Sequence, residues 1–218
     1  MAQHVDVAAT ADASVLDYLP MRDEDGEIRH EFVEEISRAI RDGNTPFLRT
    51  VVAELHEADL GDLIAALEPD DRVSLVELTG TDFDFSALNE VDDSVREEIL
   101  EELEPETVAE GVRELESDDA VELLEGLNEE DQEEILDKLP PSERDVLERS
   151  LEYPENSAGR RMQTEFIAAP PDWTVGQVID YMRDTADLPD RFYEIYAVDS
   201  ARRWQGAVSP LTTTFRPL

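Results

Sequence analysis

Leu151-Glu-Tyr-Pro-Glu-Asn-Ser-Ala-Gly-Arg-Arg-Met-Gln-Thr164 joins two stretches of sequence with different periodicities. Upstream, leucines recur every twelve residues in acidic sequence, at Leu103, Leu115, Leu127, Leu139 and Leu151. Downstream, short apolar runs flank one amphipathic helix. From Leu88 onward each upstream unit reads as a leucine, a few turn or capping residues, and about eight helical residues. Leu103 is followed by Val112 and Leu115, Leu115 by Leu123, Leu124 and Leu127, and Leu127 by Ile135, Leu136 and Leu139. Helices this short are marginal alone in water, so they must stack, each unit burying its face against the next. Ser117, Asn128 and Ser142 stand where N-caps are needed, with acids behind them to suit the positive helix ends.

Nearer the N-terminus the same logic continues with less regular spacing. Phe32, Val33, Ile36 and Ile40 share one face of a helix over Glu31–Arg41, and Gly43 lies just past its end. Thr45-Pro46 restarts a helix running to about Leu55, with Thr45 as N-cap. Further helices are expected over Asp59–Leu67 and Pro69–Leu78, the latter broken by Thr79-Gly-Thr81. Beyond Thr164 the period shortens. Phe166–Ala169 is a strand stopped by Pro170-Pro171, and Thr174-Val-Gly-Gln177 is a capping box opening a helix. Tyr193–Val198 and Trp204–Val208 form a hairpin about the turn Asp199–Arg203. A strand–helix–strand–strand unit leaves one sheet face bare.

Composition narrows the function. There are 56 Asp and Glu against 18 Lys and Arg, for a formal charge of −38, and Lys138 is the single lysine. At ~1 M salt the Debye length is about 3 Å, so such a surface is tolerable in a KCl-rich cytosol, and a halophilic source is expected. The same charge repels nucleic acid and anionic membranes. Hydrophobic residues make up 40%, enough for a core. There is no cysteine, hence no disulfide, thiolate ligand or Cys nucleophile. No secretory signal and no apolar run of bilayer length is visible, so a soluble, cytoplasmic chain is expected. His4, His30 and His56 are scattered without metal-ligand spacing, His56 reading as a helix-end residue. No acid, base and nucleophile constellation stands out, so an enzyme is not expected.

The segment Tyr153-Pro-Glu-Asn-Ser-Ala-Gly-Arg-Arg-Met-Gln-Thr-Glu-Phe166, followed by Tyr193-Glu-Ile-Tyr-Ala-Val-Asp199, resembles the opening and hairpin of the first CBS domain in the MgtE family of magnesium channels and transporters. Leu55-His-Glu-Ala-Asp-Leu60 is similar to the opening of that family's acidic helical N domain. The resemblance covers roughly residues 31–209. It implies a cytosolic region that binds regulatory Mg²⁺ between N and CBS domains, compacts, and closes a membrane pore. Glu98, Asp118 and Glu122 fall where acids of the family's N domain contact Mg²⁺, and Asp118 and Glu122, four apart, share a helix face. The transporter's membrane domain and a second copy, paired through the CBS part, are the implied partners.

The expected fold is mainly α, a right-handed α-solenoid of short helices followed by a small, incomplete α/β CBS domain. Its parts would be a largely flexible segment 1–30 with a short helix near Ala13–Leu19, an N domain 31–152, a connector 153–164 and the CBS part 165–218. Ser209-Pro-Leu-Thr212 lacks the acid that holds a ribose in nucleotide-binding CBS domains, which leaves nucleotide binding by the CBS part open, and the tail reads as that of a truncated or frameshifted product. Arg160-Arg161 is expected to bridge back to the acidic helices and set the interdomain angle. A free-standing acidic scaffold, binding a protein partner in its groove, is the alternative.

Overall fold

The computed structural model describes residues 15–185, 188–189 and 192–209. A single turn, α1 (Val15–Tyr18), leads into α2 (His30–Arg41), α3 (Thr45–Glu54), α4 (Glu57–Ala66) and α5 (Pro69–Thr79). Two 3-10 segments, Gly80–Asp82 and Phe85–Glu90, precede α6 (Asp93–Glu102), α7 (Pro105–Val112), α8 (Ser117–Leu124), α9 (Glu129–Leu136) and α10 (Pro141–Leu151). The apolar face expected for α2 is the buried one, with Phe32, Ile36 and Ile40 inside. Gly43, at φ +63°, takes the left-handed position just beyond that helix, where a side chain would strain the backbone. Gly80, at φ +58° and ψ −127°, ends α5 in a positive-φ conformation outside the left-handed helical region, which glycine adopts most readily.

The short helices stack as the twelve-residue period requires. Helix α7 packs on α9 and α8 on α10, while α4 and α8 both lie against the 3-10 segment Phe85–Glu90. The recurring leucines close the units: the backbone N–H groups of Leu115, Leu127 and Leu139 bond to the carbonyls of Val112, Leu124 and Leu136 in the same tight turn. Leu103, Leu127 and Leu139 are buried, and Leu115 and Leu151 pack against the core from its margin. A second device repeats. Arg72 Nε of α5 donates to the carbonyls of Ile64 and Leu67 at the end of α4, at 3.1 Å each. Gln132 Nε2 of α9 donates to Leu124 and Leu127 at the end of α8, at 3.0 and 2.8 Å. In both, a side chain from the next helix satisfies carbonyls that a helix end leaves open.

Three expectations about caps and one about the N-terminal segment need correcting. Asn128 does cap α9, accepting from Glu130 and Asp131 N–H. Ser117 and Ser142 do not cap; the caps are Glu116 and Pro140, and α10 begins with Pro141 at its first turn. Thr45 is already inside α3, after Asn44. Residues 15–29, expected within a flexible lead-in, are folded: Val15 and Met21 are buried in the helical core and Arg22 pairs with Asp59 and Asp62 of α4. Leu16, Leu19 and Ile28 pack beside them, and Glu54 accepts from Val15 and Leu16 N–H; the single turn α1 is too short to establish a period. Residues 1–14 and the tail 210–218, including most of Ser209–Thr212, lie outside the described residues.

After the connector the chain forms β1 (Ile167–Ala169), α11 (Val175–Asp184), β2 (Ile195–Val198) and β3 (Trp204–Val208). The sheet order is β1-β2-β3, with β1 parallel to β2 and β2 antiparallel to β3. Ile167 pairs with Ile195, and Ile195 in turn with Val208. Asp199 holds the hairpin turn by accepting from Ala201 and Arg203 N–H, which leaves Arg202 at φ +57°. The capping box is present as expected, Thr174 accepting from Gln177 N–H and Gln177 from Thr174 N–H. The continuous hydrophobic core lies within residues 15–147, with Leu151 at its margin. Among the described residues, no helix is long and apolar enough to cross a membrane.

Candidate metal centre

Helix α8 carries the site. Its inner positions, Ala120, Val121, Leu123 and Leu124, are buried in the helical core, which turns Asp118, Asp119, Glu122 and Glu125 toward the other faces. Acids in a first helical turn are favoured by the helix dipole, which is why Ser117-Asp-Asp119 begins a helix here. Carboxylate oxygens of Glu116, Asp118 and Asp119 lie within 4.8 Å of one another. Three like charges this close repel, and the site is half-buried. Burial first, then the charges of Asp118, Glu116, Glu122 and Glu57, push the Asp119 carboxyl up to about 6.

Two buried oxygens, one of them on Asp118 itself, point to a cation. Asn89, from the 3-10 segment, donates to the Asp119 carbonyl at 3.1 Å, so its side chain reaches the first turn of α8. Asn89 Oδ1 and Asp118 Oδ1 are both buried with no hydrogen-bond donor in the protein. Buried oxygens without donors are rare and each calls for an explanation. A hard divalent cation takes carboxylate and amide oxygens as ligands and relieves carboxylate repulsion, so the donor set fits Mg²⁺.

The three acids singled out in the sequence do not come together as one group. Asp118 lies in the cluster. Glu98, on α6, is held by Arg72 at 3.1 Å. Glu122, one turn along α8, is 3.6 Å from Arg161 of the connector. Glu116 and Asp119 were missed, because the Glu-Ser-Asp-Asp run reads equally well as ordinary helix-start acids.

The connector is fastened along α8. Arg160, only 7% exposed, places Nε 3.2 Å from Glu125 and its guanidinium on the Leu151 carbonyl. Arg161 binds the other oxygen of Glu125 at 2.7 Å. The arginine pair therefore bridges back to the helices as expected. Gly159 has a steric role: a Cβ there would stand 2.8 Å from the Tyr153 ring. At the other end of α8, the buried hydroxyl of Ser117 donates to Glu165 Oε2 at 2.8 Å and accepts from Thr164 N–H at 2.8 Å. Glu165 Oε2 also accepts from Ser117 N–H at 3.2 Å. Ser117 is thus bound by residues 47 and 48 positions away.

Beyond Glu165 the sheet carries a cavity of about 430 Å³ lined by Phe166, Tyr193, Tyr196, Arg202 and Trp204. Glu165 lines this cavity and also a groove of about 420 Å³ between α7, α8 and α10.

Comparison with known proteins agrees with this architecture. The family model of the MgtE intracellular N domain matches residues 55–156. A crystal structure of the cytosolic domain of the Mg²⁺ channel MgtE in complex with ATP aligns with a TM-score of 0.71 and 28% identity, over 82% of this chain and 73% of that one. A crystal structure of the soluble part of a magnesium transporter aligns with a TM-score of 0.65 and 23% identity, over 82% and 71% of the two chains. No curated protein matches the chain.

Proposed function

We propose that this chain, whose residues 55–156 match the family model of the MgtE intracellular N domain, is a cytosolic, Mg²⁺-sensing regulatory region of an MgtE-like magnesium transporter. The observation that carries the reading is the first turn of α8, where Glu116, Asp118 and Asp119 crowd together and Asp118 Oδ1 and Asn89 Oδ1 are buried without donors. Residues 165–209 supply the CBS part, with β1, α11, β2 and β3 in the order expected for its first half. Asp118 and Asp119 would hold the ion, with Glu116 and the Asn89 carbonyl oxygen beside them and Glu122 one turn away. Bound Mg²⁺ supplies positive charge that cancels carboxylate repulsion. The protein's contribution is placement: Asp118 shares one stripe of α8 with Glu122 and Glu125, to which the connector is fastened.

An ion sensed here regulates a pore only if it binds one arrangement of the two parts more tightly than another. The membrane domain of the transporter is the partner that would read that difference, and a second copy joined through the CBS part is the expected assembly. Catalysis plays no part in this reading.

The test is a calorimetric Mg²⁺ titration at ~1 M KCl, where the Debye length of about 3 Å removes diffuse attraction. Wild type should bind saturably, and Asp118→Asn should bind about tenfold more weakly, about 1.4 kcal/mol. Equal, unsaturable heats in both proteins, matched by Ca²⁺, would leave only a diffuse ion atmosphere and favour a scaffold that binds protein partners.

A further inference from the structure

Two departures from regular structure in the β2–β3 hairpin serve the same cavity. Strand β3 holds one residue more than β2 opposite it: Ala197 pairs with Gly206 and Val198 with Trp204, which leaves Gln205 as a bulge. A bulge re-aims the side chain beside it. Here it turns Trp204 onto the sheet face shared by Tyr196 and Val198, and all three line the cavity of about 430 Å³. Phe166 and Tyr196 form a corner of that cavity, their rings at 85° with centroids 5.9 Å apart, and Tyr193 lines it as well.

Arg202 is the second departure. Among the described residues it is the only one other than glycine with a positive φ, +57°. Side chains other than Asn and Asp seldom occupy that region, and residues held there gather at ligand sites. The neighbouring Arg203 is bound to Asp199 at 3.0 Å. Arg202 lines the cavity and has no ion pair among the described residues. Glu194 lines the same cavity and is likewise unpaired there. The other acid of the lining, Glu165, is committed to Ser117 and Thr164. One cation and one anion therefore border an aromatic space without reaching each other.

We propose that this cavity binds a small zwitterion with a methylated ammonium at one end and a carboxylate at the other. An anion alone would meet Glu194, and a cation alone would meet Arg202; a ligand bearing both charges suits both residues. Its carboxylate lies on the Arg202 guanidinium, a charge-assisted contact. Its ammonium lies against the faces of Tyr193, Tyr196 and Trp204, which attract cations, with Glu194 balancing the charge. A fully methylated nitrogen brings no N–H groups that aromatic walls would leave unmatched. The volume admits more than the shortest such molecule, so several bonds between the two charges are accommodated. Nothing in this site depends on an ion at α8.

Trp204 reports on the site. The chain has 2 tryptophans, so Trp173→Phe leaves Trp204 as the single emitter. At fixed KCl, trimethylglycine and the longer γ-(trimethylammonio)butyrate should each change its emission saturably. Arg202→Gly removes the guanidinium and suits a positive φ, so this variant folds at least as readily. It should bind both zwitterions about tenfold more weakly and tetramethylammonium at least as tightly as before. Tyr193→Leu should weaken the zwitterions and tetramethylammonium alike. Emission that only drifts in proportion to each solute would overturn the site. Equal zwitterion binding with and without Arg202 would overturn the pairing of carboxylate and guanidinium, and with it the zwitterion class. Saturable binding of AMP where neither zwitterion binds would overturn the ligand class in favour of a nucleotide.

Discussion

The helical part hides its apolar residues, and the strand-bearing part displays them. The connected core runs through residues 15–147, where Leu48, Leu60, Leu63, Leu88, Ile99 and Leu123 are wholly enclosed. Among the described residues of 153–209, only Ile167 and Ala169 are buried hydrophobic residues. Apart from Tyr18, every large hydrophobic residue on the surface of the described chain falls there, including Tyr193 at 79% and Trp204 at 67% exposure. No residue of α11 is buried. The physical cause is the number of neighbours. A stacked helix has partners on two sides, whereas a three-stranded sheet beside one helix cannot cover both of its faces. The chain's stability therefore resides upstream of Leu151, and the downstream part takes its position from the helices through Arg160 and Glu165.

The strongest challenge to that contrast is to excavate the helical core. Leu123→Ala, at a fully buried site of α8, should cost about 2–5 kcal/mol, read as a fall in the denaturation midpoint with the transition still cooperative. A loss below that range would mean that the stacked helices tolerate cavities and carry less of the stability. Arg160→Ala comes next, with an expected cost of about 1–3 kcal/mol because buried carbonyl and carboxylate partners lose their donor. Limited proteolysis should then cut the connector faster while α2 to α5 keep their protection. Uniform loss of protection would mean that the two parts unfold as one.

Asp119→Asn sharpens the comparison through pH. The Asp119 carboxyl, at about 6 in the folded chain against 3.8 for an ordinary aspartate, binds its proton more tightly when folded. Stability contributed by this proton is present below the lower of those values and is lost as pH rises toward the higher one. Wild type should therefore weaken between about pH 4 and 6 relative to Asp119→Asn. Above that window the variant should stay the more stable by a constant margin, and parallel curves across it would sink the assignment. Mg²⁺ binding should release a proton in the same window. The smallest effect is expected from Trp204→Ala: at a 67% exposed position, the shift should stay within about 0.5 kcal/mol. Binding of a hydrophobic dye should nevertheless fall, because the side chain removed is surface and not core.

Legibility in the sequence followed the range of each interaction. The helices from α2 onward and the capping box of α11 were visible because their signals repeat within a few residues. The hairpin was visible for the same reason, Asp199 and Arg203 being close in sequence. Ser117 was misread as a cap because its partners are 47 and 48 residues away, a separation that no local pattern encodes. Glu165 was invisible as one of 56 acids; what distinguishes it is only where α8 ends up. The candidate site was legible in part, through Asp118. Glu98 has Arg72 beside it, 26 positions away, and Asp119 is singled out by burial and crowding that appear only after folding. Residues 15–29 dock through Val15, Leu16, Leu19, Met21, Arg22 and Ile28, spread over one helical turn and a loop and so forming no sustained period.

The clasps made by Arg72 and Gln132 have a consequence for how such a chain grows. Each donor reaches back to carbonyls five and eight positions earlier, the same two separations in both cases. The fastener is therefore specified inside a segment of about one repeat, with no partner needed from elsewhere. A gene duplication that copied one such segment would copy its attachment to the preceding unit as well. Insertion of a single residue between helix and clasp would break that register, so length variation should accumulate by whole repeats.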